Sequence, residues 1–197
     1  MPTPTEILKQ LNWIDVFAVI VLLRIGYIAV KLGVISEIFK LLGTVLAVYL
    51  SLHFYERLAG QMGAYPGIGN LPQSFLIVSS CIILALAGYV LFRIMHFLFT
   101  KFIKAEPAAL FNRWGGLFLG VLRGCLLAGL IFFIMAASGG GYLRTSIKKS
   151  YAGERLFRIA PATYTALWQG AVSHFSPGEK SNQGVSEVIN AVSSRKN

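Results

Sequence analysis

The stretch 71–92 runs for twenty-two residues without one charged side chain. About 20 apolar residues cross a hydrocarbon core about 30 Å thick, so this run reads as a membrane span. It extends to about residue 96, past Arg93 and His96, and Lys101 and Lys104 close it. Three more apolar runs accompany it. Residues 13–30 are interrupted only by Asp15 and Arg24. Residues 34–52 carry Glu37 and Lys40 near their start. Residues 114–137 are broken only by Arg123 and stopped by Gly139, Gly140 and Gly141. Hydrocarbon offers the backbone no hydrogen-bond partners, so such segments must be helices.

Composition excludes the main competing classes. Hydrophobic residues make up 55% of the 197 and charged residues 13%, against about 25% charged in an ordinary soluble domain. Too few charges exist to cover a soluble enzyme, and too many apolar side chains for a disordered chain. The net charge of +10 would suggest a polyanion partner in a soluble protein. Here the Lys and Arg residues cluster between apolar runs, as they do where helices leave lipid. The partner read from them is the bilayer, with no nucleic acid.

The expected fold is therefore all-α: an integral membrane protein with four transmembrane helices, arranged as two antiparallel hairpins, plus an amphipathic C-terminal tail. Residues 1–12 form an N-terminal lead-in without the basic start and cleavage site of a signal peptide. The transmembrane domain covers 13–137, with spans at about 13–30, 34–52, 72–96 and 114–137. Gly33 turns the first hairpin, and the Gly- and Pro-rich stretch 54–72 reads as loop. A re-entrant or interfacial placement of the first or second segment stays open, because both carry charges. Residues 138–175 mix basic and aromatic side chains, are divided by Pro161, and fit short helices lying on the membrane; a small soluble tail packed on the loops is the competing view. Residues 176–197 are expected to be mostly disordered, with a weak helix at 185–192 as the exception. Basic residues flanking the Gly33 turn and the 101–113 connection place those connections in the cytoplasm and both termini in the periplasm.

Charge inside a span is costly and points to a role. The candidate polar and ion-pair residues are Asp15, Arg24, Glu37, Arg113 and Arg123. Glu37 starts the second helix, where free backbone donors favour a carboxylate, and Arg24 or Lys31 are partners within reach; Arg24 and Arg123 are expected either to snorkel to an interface or to pair with Glu37 or Asp15. Asp15, beside Trp13, reads as an interface residue. Gly116, Gly120 and Gly124 stand four apart on one face of the fourth helix, a spacing that lets another backbone approach closely. Gly33 and Gly43 serve the same end in the first hairpin, and Ala85 and Gly88 offer a receiving surface. Cys81 and Cys125 lie within apolar runs, and His53, His96 and His174 are scattered. No catalytic residues, cofactor site or metal site are expected.

Several segments resemble the CvpA family, the colicin V production proteins. Asn12-Trp13-Ile14-Asp15 opens the first span as in that family. Residues 24–43 are similar in their basic, glycine-containing turn, with Gly33, Glu37 and Gly43. Phe111-Asn112-Arg113-Trp114-Gly115-Gly116, followed by Gly120 and Arg123-Gly124, resembles a second family segment. There the family has an acid where this chain has Asn112. The resemblance covers residues 12–161. It implies a bacterial inner-membrane protein, not an enzyme, that supports toxin production or export and envelope homeostasis through a membrane protein partner or as a homo-oligomer. The alternative is a small oligomeric transporter or channel component with Arg24, Glu37 and Arg123 near its path; a holin-like or signalling helper has no distinguishing residue.

Overall fold

The computed structural model describes residues 12–100, 109–175 and 178–194. All regular structure among them is helical. The long helices are α1 (Trp13–Leu32), α2 (Val34–Gly63), α3 (Gln73–Thr100) and α4 (Ala109–Ala137), and each contains a stretch long and apolar enough to cross a membrane. The shorter α5 (Gly141–Lys149), α6 (Gly153–Leu167) and α7 (Gln183–Ser193) follow, with a π-helical turn at Trp168–Val172 and a short helical stretch at Ser173–Phe175 extending α6.

Local chemistry explains the boundaries. Asn12 caps α1, and its own N–H donates to Asp15, closing a capping box. Gly33 ends α1 with φ of 80°, a left-handed value that suits glycine. It also starts α2, so a single residue joins the two helices. With no side chain at Gly33 to cap α2, Asn112 of α4 supplies one: its Oδ1 accepts from the Val34 N–H at 2.7 Å. The helix N-terminus attracts an acceptor at this point, and Asn112 meets that need without charge.

The packing order differs from two hairpins. Helices α1 and α2 diverge from Gly33 and scarcely touch. Helix α4 fills the fork between them, packing on α1 through one face and on α2 through another, while α3 packs on the far side of α2. Half of the apolar stretch of α4 is buried, against 22% in α3, which makes α4 the central element. The glycines decide who packs on whom. A Cβ at Gly116 would lie 2.8 Å from the Ala29 carbonyl oxygen, one at Gly120 would collide with the Ala29 Cβ, and one at Gly124 would come within 2.9 Å of Leu22. The stripe therefore receives α1. Gly88 receives Ala47 of α2 rather than α4, and Gly43 lies against Phe92 of α3.

Helix α2 runs to Gly63, through half of the stretch expected to be loop. Its 30 residues span about 45 Å, longer than the hydrocarbon is thick, and the surplus turns bury His53, Tyr55 and Ala59. What buries them is the tail. Helix α6 continues through Pro161 without dividing there and sets Leu156, Phe157, Ala160 and Tyr164 into the bundle; Gly129 of α4 lets the Leu156 carbonyl and the Ala160 N–H come close. Helix α7 covers the 185–192 stretch expected as the helical exception in an otherwise disordered end, and buries Val185, Val188 and Val192. The largest core thus lies at the tail end, where Ile14, Leu52, Tyr55, Phe132, Phe133, Ile147 and Phe157 meet. Away from it the exterior is apolar, with Val16, Ile20, Leu23, Ile83, Leu86 and Phe118 exposed, as lipid in place of water permits.

Candidate functional site

Glu37 stands in the first turn of α2 and is fully buried. Its neighbours follow from sequence spacing on two helices. Lys40, three residues on, donates from Nζ to Oε1 at 3.1 Å. Arg123 stands three residues beyond Gly120, where the missing Cβ brings α4 close: Glu37 Oε2 lies 3.7 Å from the place a Gly120 Cβ would take. The Arg123 Nε sits 3.1 Å from Oε2. That is ion-pair range, but the alignment is not that of a hydrogen bond, and neither atom has a hydrogen-bond partner among the described residues. The attraction is Coulombic, and burial makes it strong while desolvation makes it costly to assemble. One carboxylate faces two cations, so the cluster carries one positive charge in excess.

Two of the expected partners of Glu37, Arg24 and Lys31, are elsewhere. Arg24 is exposed on α1 and makes no ion pair with a described residue. Lys31 places its ammonium over the Tyr27 ring, 4.3 Å from the centroid. Arg113 is exposed near the start of α4, also without an ion pair among the described residues. Of the two span arginines expected to snorkel or to pair with Glu37 or Asp15, Arg123 reaches Glu37, because α4, and not α1, lies along the Glu37 face of α2. Beside the cluster, between α2 and α3, opens a cleft of about 370 Å³ whose lining includes Lys40, Ser36, Phe39, Tyr89, Phe92 and Arg93.

At the opposite end Asp15 is buried, with 3% of its surface exposed. The Ser150 hydroxyl and the Ala152 N–H both donate to Oδ1 at 2.7 Å, and the Asn12 N–H donates to Oδ2 at 2.9 Å. The Asn12 side chain donates to the Ser146 carbonyl at 3.1 Å. The Asn12-Trp13-Ile14-Asp15 segment therefore ties the start of α1 to the α5–α6 turn. The spacing of Asn12 and Asp15 carried a capping signal that would have flagged this.

A third polar cluster went unread in the sequence. His53 is buried on α2, stacked between Tyr49 and Trp168 at ring-centroid distances of 5.3 and 5.2 Å. The Asn182 N–H donates to the Tyr164 hydroxyl oxygen at 2.8 Å, leaving that hydroxyl to donate to His53 Nδ1 at 3.0 Å. His53 Nε2 and Arg57 both reach Glu179 Oε1, at 3.2 and 3.1 Å. Hydrogen bonding from His53 holds the Glu179 carboxyl below its ordinary range against the opposing effect of desolvation, and Arg57 adds a lesser pull in the same direction. Burial pushes the Tyr164 hydroxyl up. The α2 members and the tail members are more than 100 residues apart in sequence, and the cluster fastens the tail to the protruding end of α2.

Among the described residues, no group of three His, Cys, Asp or Glu side chains is placed to hold a metal ion. Buried Glu37 pairs with Lys40 and Arg123, buried Asp15 accepts from neutral donors, and the fold is a four-span helical bundle capped at one end by its own tail. That defines a polytopic membrane protein whose buried acids are held in internal contacts. The chain belongs to the colicin V production protein family, which matches it over residues 14–161. It is accordingly a multi-pass protein of the bacterial inner membrane with a non-enzymatic, accessory role there. No curated protein and no solved structure matches it.

Proposed function

We propose that this protein supports the production or export of a colicin V-like toxin, and envelope homeostasis, by docking a membrane partner or a second copy of itself against α1. The observation that carries this reading is Arg24. It lies more than two turns from either end of α1, exposed and without an ion-pair partner among the described residues, among the exposed Ile20, Leu23 and Tyr27. An arginine at such depth costs about 2.5–3.5 kcal/mol on insertion scales, a cost that an acidic or polar group on a neighbouring helix offsets. Both termini, in this reading, face the periplasm, with the tail cap packed at that surface. The transporter or channel reading has less support: Glu37 and Arg123 neutralise each other in the packing, and neither they nor Arg24 line the α2–α3 cleft.

The test is a photocrosslinking residue in place of Tyr27, irradiated in native membranes. The reading expects one defined adduct, a partner or a dimer, that disappears in Arg24→Ala. Monomer alone, or an adduct indifferent to Arg24→Ala, overturns it.

A further inference from the structure

The cleft between α2 and α3 has the makings of a ligand site, and we infer that it binds the phosphate headgroup of an anionic membrane phospholipid. Its volume of about 370 Å³ falls within the range of about 300–1,000 Å³ typical of small-molecule sites. Lys40 from α2 and Arg93 from α3 face it, beside His96, and among the described residues no carboxylate lines it. Ser36 and the Tyr89 hydroxyl add hydrogen-bonding groups, and Leu32, Phe39 and Phe92 supply an apolar wall for the first carbons of an acyl chain.

The buried cluster next door independently asks for an anion. Glu37 balances only one of the charges of Lys40 and Arg123. Arg123 is sealed in the packing, with 9% of its side chain exposed, whereas Lys40 keeps 24% exposed and opens on the cleft. The surplus positive charge is therefore presented there. An unbalanced charge beside low-dielectric protein is unfavourable until an anion sits against it. Arg93 is exposed on the facing helix, and an arginine matches a phosphate's geometry with two parallel N–H donors. The site is near the start of α2, two turns in, where a headgroup reaches by a small inward displacement. A lipid, not a soluble phosphate, is the occupant because the phosphate-binding groups and the aromatic wall line one cleft.

The experiment is native mass spectrometry of the full chain released from vesicles of mixed phosphatidylglycerol and phosphatidylcholine. Wild type is expected to retain phosphatidylglycerol in preference. Each cation near a headgroup contributes about 1 kcal/mol, so Arg93→Gln should retain it about fivefold less. Lys40→Gln/Arg93→Gln should lose the preference altogether, while Arg158→Gln at the far end leaves it intact. Because Arg93 is exposed, its single variant stays folded even where the Lys40 change does not. Equal retention of the two lipids by wild type, or undiminished retention by Arg93→Gln, overturns the site. Displacement of phosphatidylglycerol by equimolar inorganic phosphate overturns the lipid as its occupant.

Discussion

Asp15 and Glu37 stand in the first turns of consecutive helices and are equally hidden, yet different chemistry holds them. Asp15 is satisfied by neutral donors: a hydroxyl and two backbone N–H groups. Glu37 faces two cations, hydrogen-bonded to Lys40 and only in ion-pair range of Arg123. The Asp15 end needs no counterion and works as a clasp between α1 and the tail. The Glu37 end has traded backbone hydrogen bonds for charge, and it ends with positive charge to spare. One end of the bundle is closed by its own sequence, and the other remains able to receive an anion.

Removing the acids should separate the two ends most sharply. Glu37→Ala leaves Arg123 buried and uncompensated, a loss of about 3–5 kcal/mol readable by denaturant unfolding in detergent micelles. Asp15→Ala strands the Ser150 hydroxyl and the Ala152 N–H, a cost of about 1–3 kcal/mol, and should expose the α5–α6 turn to protease. Asp15→Asn keeps an acceptor oxygen and should recover much of that loss. Equal damage from Glu37→Ala and Asp15→Ala would erase the distinction.

Smaller effects refine it. Asn112→Ala should cost about 1 kcal/mol by uncapping α2, seen as faster amide exchange at Val34. At the tail end, Glu179 has its pKa lowered below the ordinary 4.5 by folding. Its contribution to tail docking is then present above 4.5 and is lost as pH falls through the lowered value. Trp168 fluorescence, in a chain whose other tryptophans are phenylalanine, should report that acid step, and Glu179→Gln should remove it.

The four spans were legible because hydropathy is a local property: a charge-free run such as 71–92 names its own solvent. The Gly116, Gly120 and Gly124 stripe was legible as a close-packing face, and Gly33 as a turn. Their partners were not, since spacing along one helix says nothing about which other helix arrives. So α4 was assigned to a hairpin with α3, when its glycines admit α1 and its Arg123 reaches Glu37 on α2. The far end of α2 read as loop because Gly60, Gly63 and the polar Glu56, Arg57 and Gln61 outweighed Tyr55 and Ala59, whose burial depends on a tail more than 90 residues away. His53 was passed over for the same reason: Tyr164 and Glu179 join it only once the tail is docked.

The organising element is the buried pair between α2 and α4, and a double-mutant comparison tests it most directly. Glu37→Ala, Arg123→Ala and Glu37→Ala/Arg123→Ala would be unfolded side by side in the same micelles. With charge held by charge, the double variant loses less stability than Glu37→Ala alone, because no buried cation is left stranded and Lys40 can turn to the cleft. Losses that simply add would mean that Glu37 and Arg123 do not hold each other, and the wedge of α4 between α1 and α2 would need another cause.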